Sequence, residues 1–96
     1  MARYVLLLKW TEQGIKNVKE TVNRAAAARQ AFEKAKARMG ECYWTLGPYD
    51  LVISAEAPDD ETMTAISIQL AKLGNVTTTT LRAFNEAEMQ KIVQKV

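Results

Sequence analysis

The sequence predicts an α+β fold built on one antiparallel sheet, and two observations carry that prediction. Segments rich in aromatic and β-branched residues alternate with stretches of helical periodicity in the order β-α-β-β-α-β-α. The middle two strands, around Cys42-Tyr43-Trp44-Thr45 and Leu51-Val52-Ile53, flank Gly47-Pro48. That pair suits a tight turn, because glycine reaches φ > 0 and proline fixes its own φ. Two halves joined by a hairpin give the split βαβ, ferredoxin-like plait, with sheet order 4-1-3-2, both main helices on one face and an added C-terminal helix. A doubly wound parallel sheet needs a crossover helix between successive strands, and the hairpin argues against it.

Taken in order, Ala2 to Trp10 forms the first strand. Its run Tyr4-Val5-Leu6-Leu7-Leu8 does not alternate, so both of its faces are expected to be buried. Thr11-Glu12-Gln13-Gly14 breaks the pattern as a turn, with a short helical piece through Asn17-Val18. Thr21 is placed to cap a long helix that ends near Met39, with Gly40 as its stop. Val22, Ala25, Ala28, Phe32, Ala35 and Met39 form its narrow apolar stripe. Glu41 to Leu46 and Tyr49 to Ala57 are the hairpin strands. Pro58 ends the second, and Asp59 or Asp60 caps the next helix, where a carboxylate also suits the positive end of the helix dipole. Met63, Ile66, Leu70 and Leu73 are its stripe, and Gly74-Asn75 stops it. Val76 to Phe84 carries the threonines Thr77 to Thr80, a run that favours a pleated ladder over a helix. Asn85 opens a last short helix with the stripe Met89, Ile92, Val93 and Val96.

Residues 1–96 are expected to form one domain, since the chain supports one modest core and not two. Apolar content of 48% and charged content of 25% are ordinary globular values, which argues against disorder. The longest apolar run of the first strand is too short to span a bilayer and carries no cleavage site, so a cytoplasmic protein without membrane attachment is expected. The lone Cys42 has no partner for an internal disulfide, in keeping with a reducing compartment. There is no histidine, which removes the commonest general base and the commonest metal ligand together. No metal site and no cofactor are expected: a structural zinc set is nearly excluded, and neither a P-loop nor a GxGxxG run occurs. Residues 16–38 hold seven Lys or Arg against two Glu. Without aromatic interleaving this reads as a solvated helix face, and no nucleic-acid partner is expected.

The first strand also predicts assembly. In the plait it lies inside the sheet with helices on one side only, yet it presents Val5 and Leu7 to one face and Tyr4, Leu6, Leu8 and Trp10 to the other. An apolar patch on the uncovered face marks an interface. Its simplest cover is a second copy of the same sheet, giving a two-fold dimeric α/β barrel.

With these elements placed, the chain resembles the GYD-domain family of small bacterial proteins, named for a Gly-Tyr-Asp motif. The motif stands here as Gly47-(Pro48)-Tyr49-Asp50, with Pro48 as a departure. The start Tyr4-Val5-Leu6-Leu7 with Trp10-Thr11-Glu12-Gln13-Gly14 is similar to the family's opening. So are the later blocks Glu56-Ala57-Pro58-Asp59-Asp60, Leu73-Gly74-Asn75-Val76 and Thr80-Leu81-Arg82-Ala83-Phe84. The resemblance covers nearly the whole chain. It implies a dimeric α/β-barrel fold and no established activity.

Four residues stand out as candidates for a ligand site: Trp10, Tyr49, Asp50 and Arg82. Asp50 has two readings. It accepts backbone N–H groups at a strand start, as aspartates beside turns commonly do, or it serves as a ligand anchor or general base pointing into the dimer barrel. Tyr49 shares the alternation of Leu51, Ile53 and Ala55, so its ring is expected under a helix with its hydroxyl on a polar partner. Trp10 and Trp44 are core or interface residues, or flat walls of a pocket. Arg82 is expected to pair with Glu56 across the first strand, or to hold an anion. Cys42 reads as a small core residue. The leading functional expectation is a small-molecule-binding or structural homo-oligomer, supported by the missing histidine and nucleotide loops. The alternative is a cofactor-independent enzyme using Asp50 or Tyr49 as acid/base on a small organic substrate.

Overall fold

The computed structural model describes residues 1–96. Its elements are β1 (Ala2–Trp10), α1 (Glu12–Lys16), α2 (Thr21–Lys34), β2 (Arg38–Trp44), β3 (Leu51–Ala57), α3 (Asp60–Lys72), β4 (Val76–Ala83) and α4 (Glu86–Val93). A 3-10 turn at Val18–Glu20 leads into α2. The strands form one antiparallel sheet in the order β2-β3-β1-β4, the expected 4-1-3-2 plait read from the other edge. No helix is long and apolar enough to cross a membrane.

The core lies between this sheet and the two long helices. Tyr4, Leu6 and Leu8 of β1 alternate inward with Leu51, Ile53, Ala55 and Ala57 of β3. Ala28 and Phe32 of α2 and Met63, Ile66 and Leu70 of α3 close over them. Phe32, Leu6, Met63 and Ile66 are essentially free of solvent contact. Each such side chain contributes roughly 1.5–3 kcal/mol through its removal from water.

The turns that set the helix ends are hydrogen-bonded in detail. Thr11 caps α1 by accepting from the Gly14 N–H at 3.1 Å, and its own hydroxyl donates to the Gly74 carbonyl at 2.6 Å. The α1 turn thereby docks on the α3–β4 turn so closely that a Cβ on Gly14 would lie 2.0 Å from the Asn75 carbonyl oxygen. Asp59 caps α3 by accepting from the Thr62 N–H at 2.8 Å. Asn85 and Glu88 form a reciprocal capping box at the start of α4. Gly47 takes φ 109°, as the hairpin turn requires.

Several boundaries differ from the sequence reading: β2 runs Arg38–Trp44 in place of Glu41 to Leu46, Glu12–Lys16 is a short helix where a turn was expected, and the changes at α2 and β3 have identifiable reasons. Helix α2 ends at Lys34, five residues before Met39. The chain leaves it through Lys36 at φ 61°, with the Lys36 N–H bonded to the Glu33 carbonyl and the Ala37 N–H to the Phe32 carbonyl. That is a Schellman ending, sealed by the contact of Ala37 with Phe32 in the core, with lysine where glycine is usual. Gly40 is therefore not a helix stop. It sits in an irregularity of β2, where a Cβ would approach the Ser54 hydroxyl to 2.5 Å. Met39 is a buried strand residue. Thr21 is the first residue of α2 and not its cap; its hydroxyl accepts from Trp44 Nε1 at 3.0 Å. Strand β3 begins at Leu51, two residues after Tyr49.

Replacing the strained cap, Lys36→Gly, should raise the unfolding free energy by about 1 kcal/mol, the cost of a left-handed conformation with a Cβ. Phe32→Ala should lower it by about 3–5 kcal/mol through loss of burial and the cavity left behind. Urea unfolding followed by far-UV circular dichroism measures both.

Candidate functional site

The sheet face away from α2 and α3 is uncovered and apolar at its centre. The ladders fix its pattern. Tyr43, Val52, Leu7 and Thr79 stand side by side across all four strands, and Ser54, Val5 and Leu81 form the neighbouring row. Tyr43 is 58% exposed and Leu81 45%, far more than side chains of their size need be in a packed sheet. One end of the face is charged: Arg3 lies 3.4 Å from Glu56 and 3.3 Å from Glu88 of α4. These pairs are partly solvated, so they orient α4 more than they stabilise it. The Asn85 backbone N–H, followed by the charges of Arg3 and Arg82, holds the Glu88 carboxyl below its usual range. No residue of α4 is buried, and Met89 and Val93 remain half exposed.

Trp10, Tyr49 and Asp50 come together at the other end of β1. The Asp50 carboxylate accepts from the Trp10 backbone N–H at 2.9 Å, and the Asp50 N–H donates to the Leu8 carbonyl at 2.8 Å. Asp50 thus continues the β1–β3 ladder past the point where β3 itself begins, using its side chain where a main-chain carbonyl would stand. Trp10 lies in register with Val76 and is half-buried against the core on the helix side. Tyr49 is not under a helix as its spacing suggested. Because β3 starts only at Leu51, its parity does not extend back to Tyr49, whose half-buried ring lies 5.6 Å from the Lys9 ammonium.

Arg82 belongs to the opposite end and does not approach Asp50. Nor does it pair with Glu56. It stands opposite Tyr4 in the ladder, on the helix side, whereas Glu56 stands opposite Arg3 on the open side. Its guanidinium lies 4.5 Å from the centre of the Phe84 ring and 5.6 Å from that of Tyr4, and it donates to the Arg3 carbonyl at 3.2 Å. There it lines a cavity of about 450 Å³ between α3 and β4, together with Tyr4, Asp60, Ser67 and Thr80.

Two members of that cavity were missed in the sequence. The Tyr4 hydroxyl donates to the Asp60 carboxylate at 2.5 Å, a contact spanning 56 residues. Burial, followed by the Asp60 hydrogen bond and charge, pushes the Tyr4 phenol up to about 12, with Arg82 opposing. The sequence signal was present: Tyr4 has the inward parity of Leu6 and Leu8, and Asp60 opens a helix packed on the same strand. Cys42 is half-buried beside the core, and burial raises its thiol pKa against the opposing charge of Arg29, which disfavours a reactive thiolate.

Two variants test these contacts. Asp50→Ala should cost about 1–3 kcal/mol, since the Trp10 N–H loses its acceptor, while Asp50→Asn keeps an acceptor and should cost less; thermal melts compare them. For Tyr4 the sign follows from its pKa. The folded value of about 12 lies above the free value of 10, so the stability it confers is complete below pH 10 and is lost as pH rises toward 12. The stability difference between the wild type and Tyr4→Phe, measured in urea, should therefore shrink between about pH 9 and pH 11.5.

Comparison with known proteins agrees with this architecture. The GYD domain family model matches residues 4–93. A protein of Thermus thermophilus, named glutamine synthetase and cystathionine beta-lyase binding protein, is 31% identical over 90 residues, covering 93% of this chain and 95% of its own. No solved structure gives a significant match. The chain belongs to the GYD-domain family.

Proposed function

We propose that this protein is a non-catalytic binding module in which two copies pair through the open faces of their sheets and the pair engages an enzyme as its partner. The observation that carries the first part is the uncovered apolar centre formed by Tyr43, Val52, Leu7, Val5 and Leu81. A second sheet laid on it turns two half-covered layers into one closed barrel core. The second part draws on the Thermus relative, which is named for binding glutamine synthetase and cystathionine beta-lyase. An enzyme partner accords with a single domain over residues 1–96 acting in the cytoplasm.

Binding is favoured over catalysis by what the motif residues do. The Asp50 carboxylate is engaged by a backbone N–H of β1, and Tyr49 lies beside Lys9. The Asp50 contact is the one a structural aspartate beside a turn makes, which favours the binding reading.

Light scattering after size exclusion should give twice the 10.8 kDa chain mass at micromolar concentration. Leu7→Lys should raise the dimer dissociation constant about thirtyfold or more, the cost of one hot-spot residue of about 2 kcal/mol. A wild-type monomer at that concentration would remove the self-association. For the partner, immobilised protein should retain purified glutamine synthetase or cystathionine beta-lyase from its own cell; retention of neither would remove the enzyme-partner claim and leave the dimer standing.

A further inference from the structure

The cavity of about 450 Å³ between α3 and β4 holds two opposite charges that do not meet. Asp60 and Arg82 both line it, yet no ion pair joins them. Each is fixed by other contacts instead. The Arg82 guanidinium donates through Nη1 to the Arg3 and Ala83 carbonyls and lies over the Tyr4 and Phe84 rings. Asp60, in the first turn of α3, accepts from the Tyr4 hydroxyl on Oδ1. These bonds leave Oδ2 of the carboxylate and Nε and Nη2 of the guanidinium for a ligand, and both residues are exposed.

The buried Tyr4 side chain sets the spacing of the two charges. Its ring lies 5.6 Å from the guanidinium, while its hydroxyl holds the carboxylate. Between them the walls carry hydroxyls: Ser67 and Thr80 are bonded to each other at 2.9 Å, and Thr78 lies beside them. The cavity volume falls inside the range of roughly 300–1,000 Å³ typical of small-molecule sites. A simple anion entering here is repelled by Asp60, and a simple cation by Arg82. A small molecule that carries both charges close together satisfies both groups at once, and a guanidinium fork is the better match for its carboxylate.

We propose that this cavity binds a free α-amino acid with an uncharged polar side chain. Its carboxylate pairs with Arg82, its ammonium with Asp60, and its side chain bonds to the hydroxyls of Ser67, Thr78 and Thr80. The site lies on the helix side of the sheet, so its occupancy depends neither on the pairing of open faces nor on an enzyme partner.

Titration of the nitrogen-15-labelled full chain with L-glutamine, followed by backbone amide shifts in two-dimensional NMR, tests the proposal. Glutamine is the probe because its amide both donates to and accepts from hydroxyls. Saturable shifts centred on Ser67, Thr78, Thr80 and Arg82 are expected at millimolar ligand. Two analogues each remove one charge: glutaramate lacks the ammonium, and 4-aminobutanamide lacks the carboxylate. Each should bind weaker by about tenfold or more, the share of a charge-assisted hydrogen bond. This comparison uses the unmodified chain, so it holds even where a variant disturbs folding. Arg82→Gln should weaken glutamine by a similar factor without weakening 4-aminobutanamide. Asp60→Asn keeps an acceptor for the Tyr4 hydroxyl and should weaken glutamine without weakening glutaramate. No saturable shift up to tens of millimolar glutamine, or shifts centred away from α3 and β4, would overturn the proposal. So would an analogue that binds as tightly as glutamine, or glutamine binding unchanged in either variant.

Discussion

The rest of the structure depends on the double pairing of β1. This strand is bonded along one edge to β3 and along the other to β4, so it can only be an interior strand. Both long connections pass over the same face, as the right-handed crossover rule requires, and they cover Tyr4, Leu6 and Leu8. Nothing in the chain returns to cover Val5 and Leu7. A two-layer fold thus carries an interior strand apolar on both sides, and the imbalance is intrinsic to the sequence of that strand. Val5, Leu7 and Val52 are each already partly shielded by their neighbours, so a second layer would add only a fraction of the roughly 1.5–3 kcal/mol that full burial of such a side chain contributes.

The Gly47-Pro48-Tyr49-Asp50 turn has its own structural task beside that imbalance. Gly47 supplies the positive φ, and the Thr45 hydroxyl bonds the Tyr49 carbonyl at 2.6 Å across the turn. Asp50 then hands the chain to β1 before β3 has formally begun. This links the hairpin to the interior strand at the end where Trp10, Val76 and the two docked turns meet. The polar groups at the other end, Tyr4, Asp60 and Arg82, connect α3 and β4 to the same strand. The named motif and the polar cavity therefore secure opposite ends of β1.

Much of this was legible in the residues, and the exceptions share a cause. Hydrophobic period, capping residues and the Gly-Pro turn gave every strand and main helix, the strand order and the uncovered face. The end of α2 was not legible because Lys36 occupies a left-handed position with no glycine to announce it. Met39 completes a helical stripe with Phe32 and Ala35 as readily as it fits an inward strand position, so spacing alone could not assign it. Tyr49 was misplaced by extending the parity of β3 back through a turn whose backbone does not alternate. The expected Arg82–Glu56 pair failed on parity as well: in an antiparallel ladder a partner of Tyr4 and a partner of Arg3 face opposite sides.

What covers the open face decides how the protein assembles, and a position-specific crosslink reads that directly. A photoreactive benzoylphenylalanine placed at Tyr43, on the open face, is compared with one at Gln30, on α2 at the opposite side of the sheet. Irradiation at micromolar concentration should convert the Tyr43 variant to a covalent dimer and leave the Gln30 variant monomeric on a denaturing gel. Covalent dimer from Gln30 but not from Tyr43, or from neither, would contradict it.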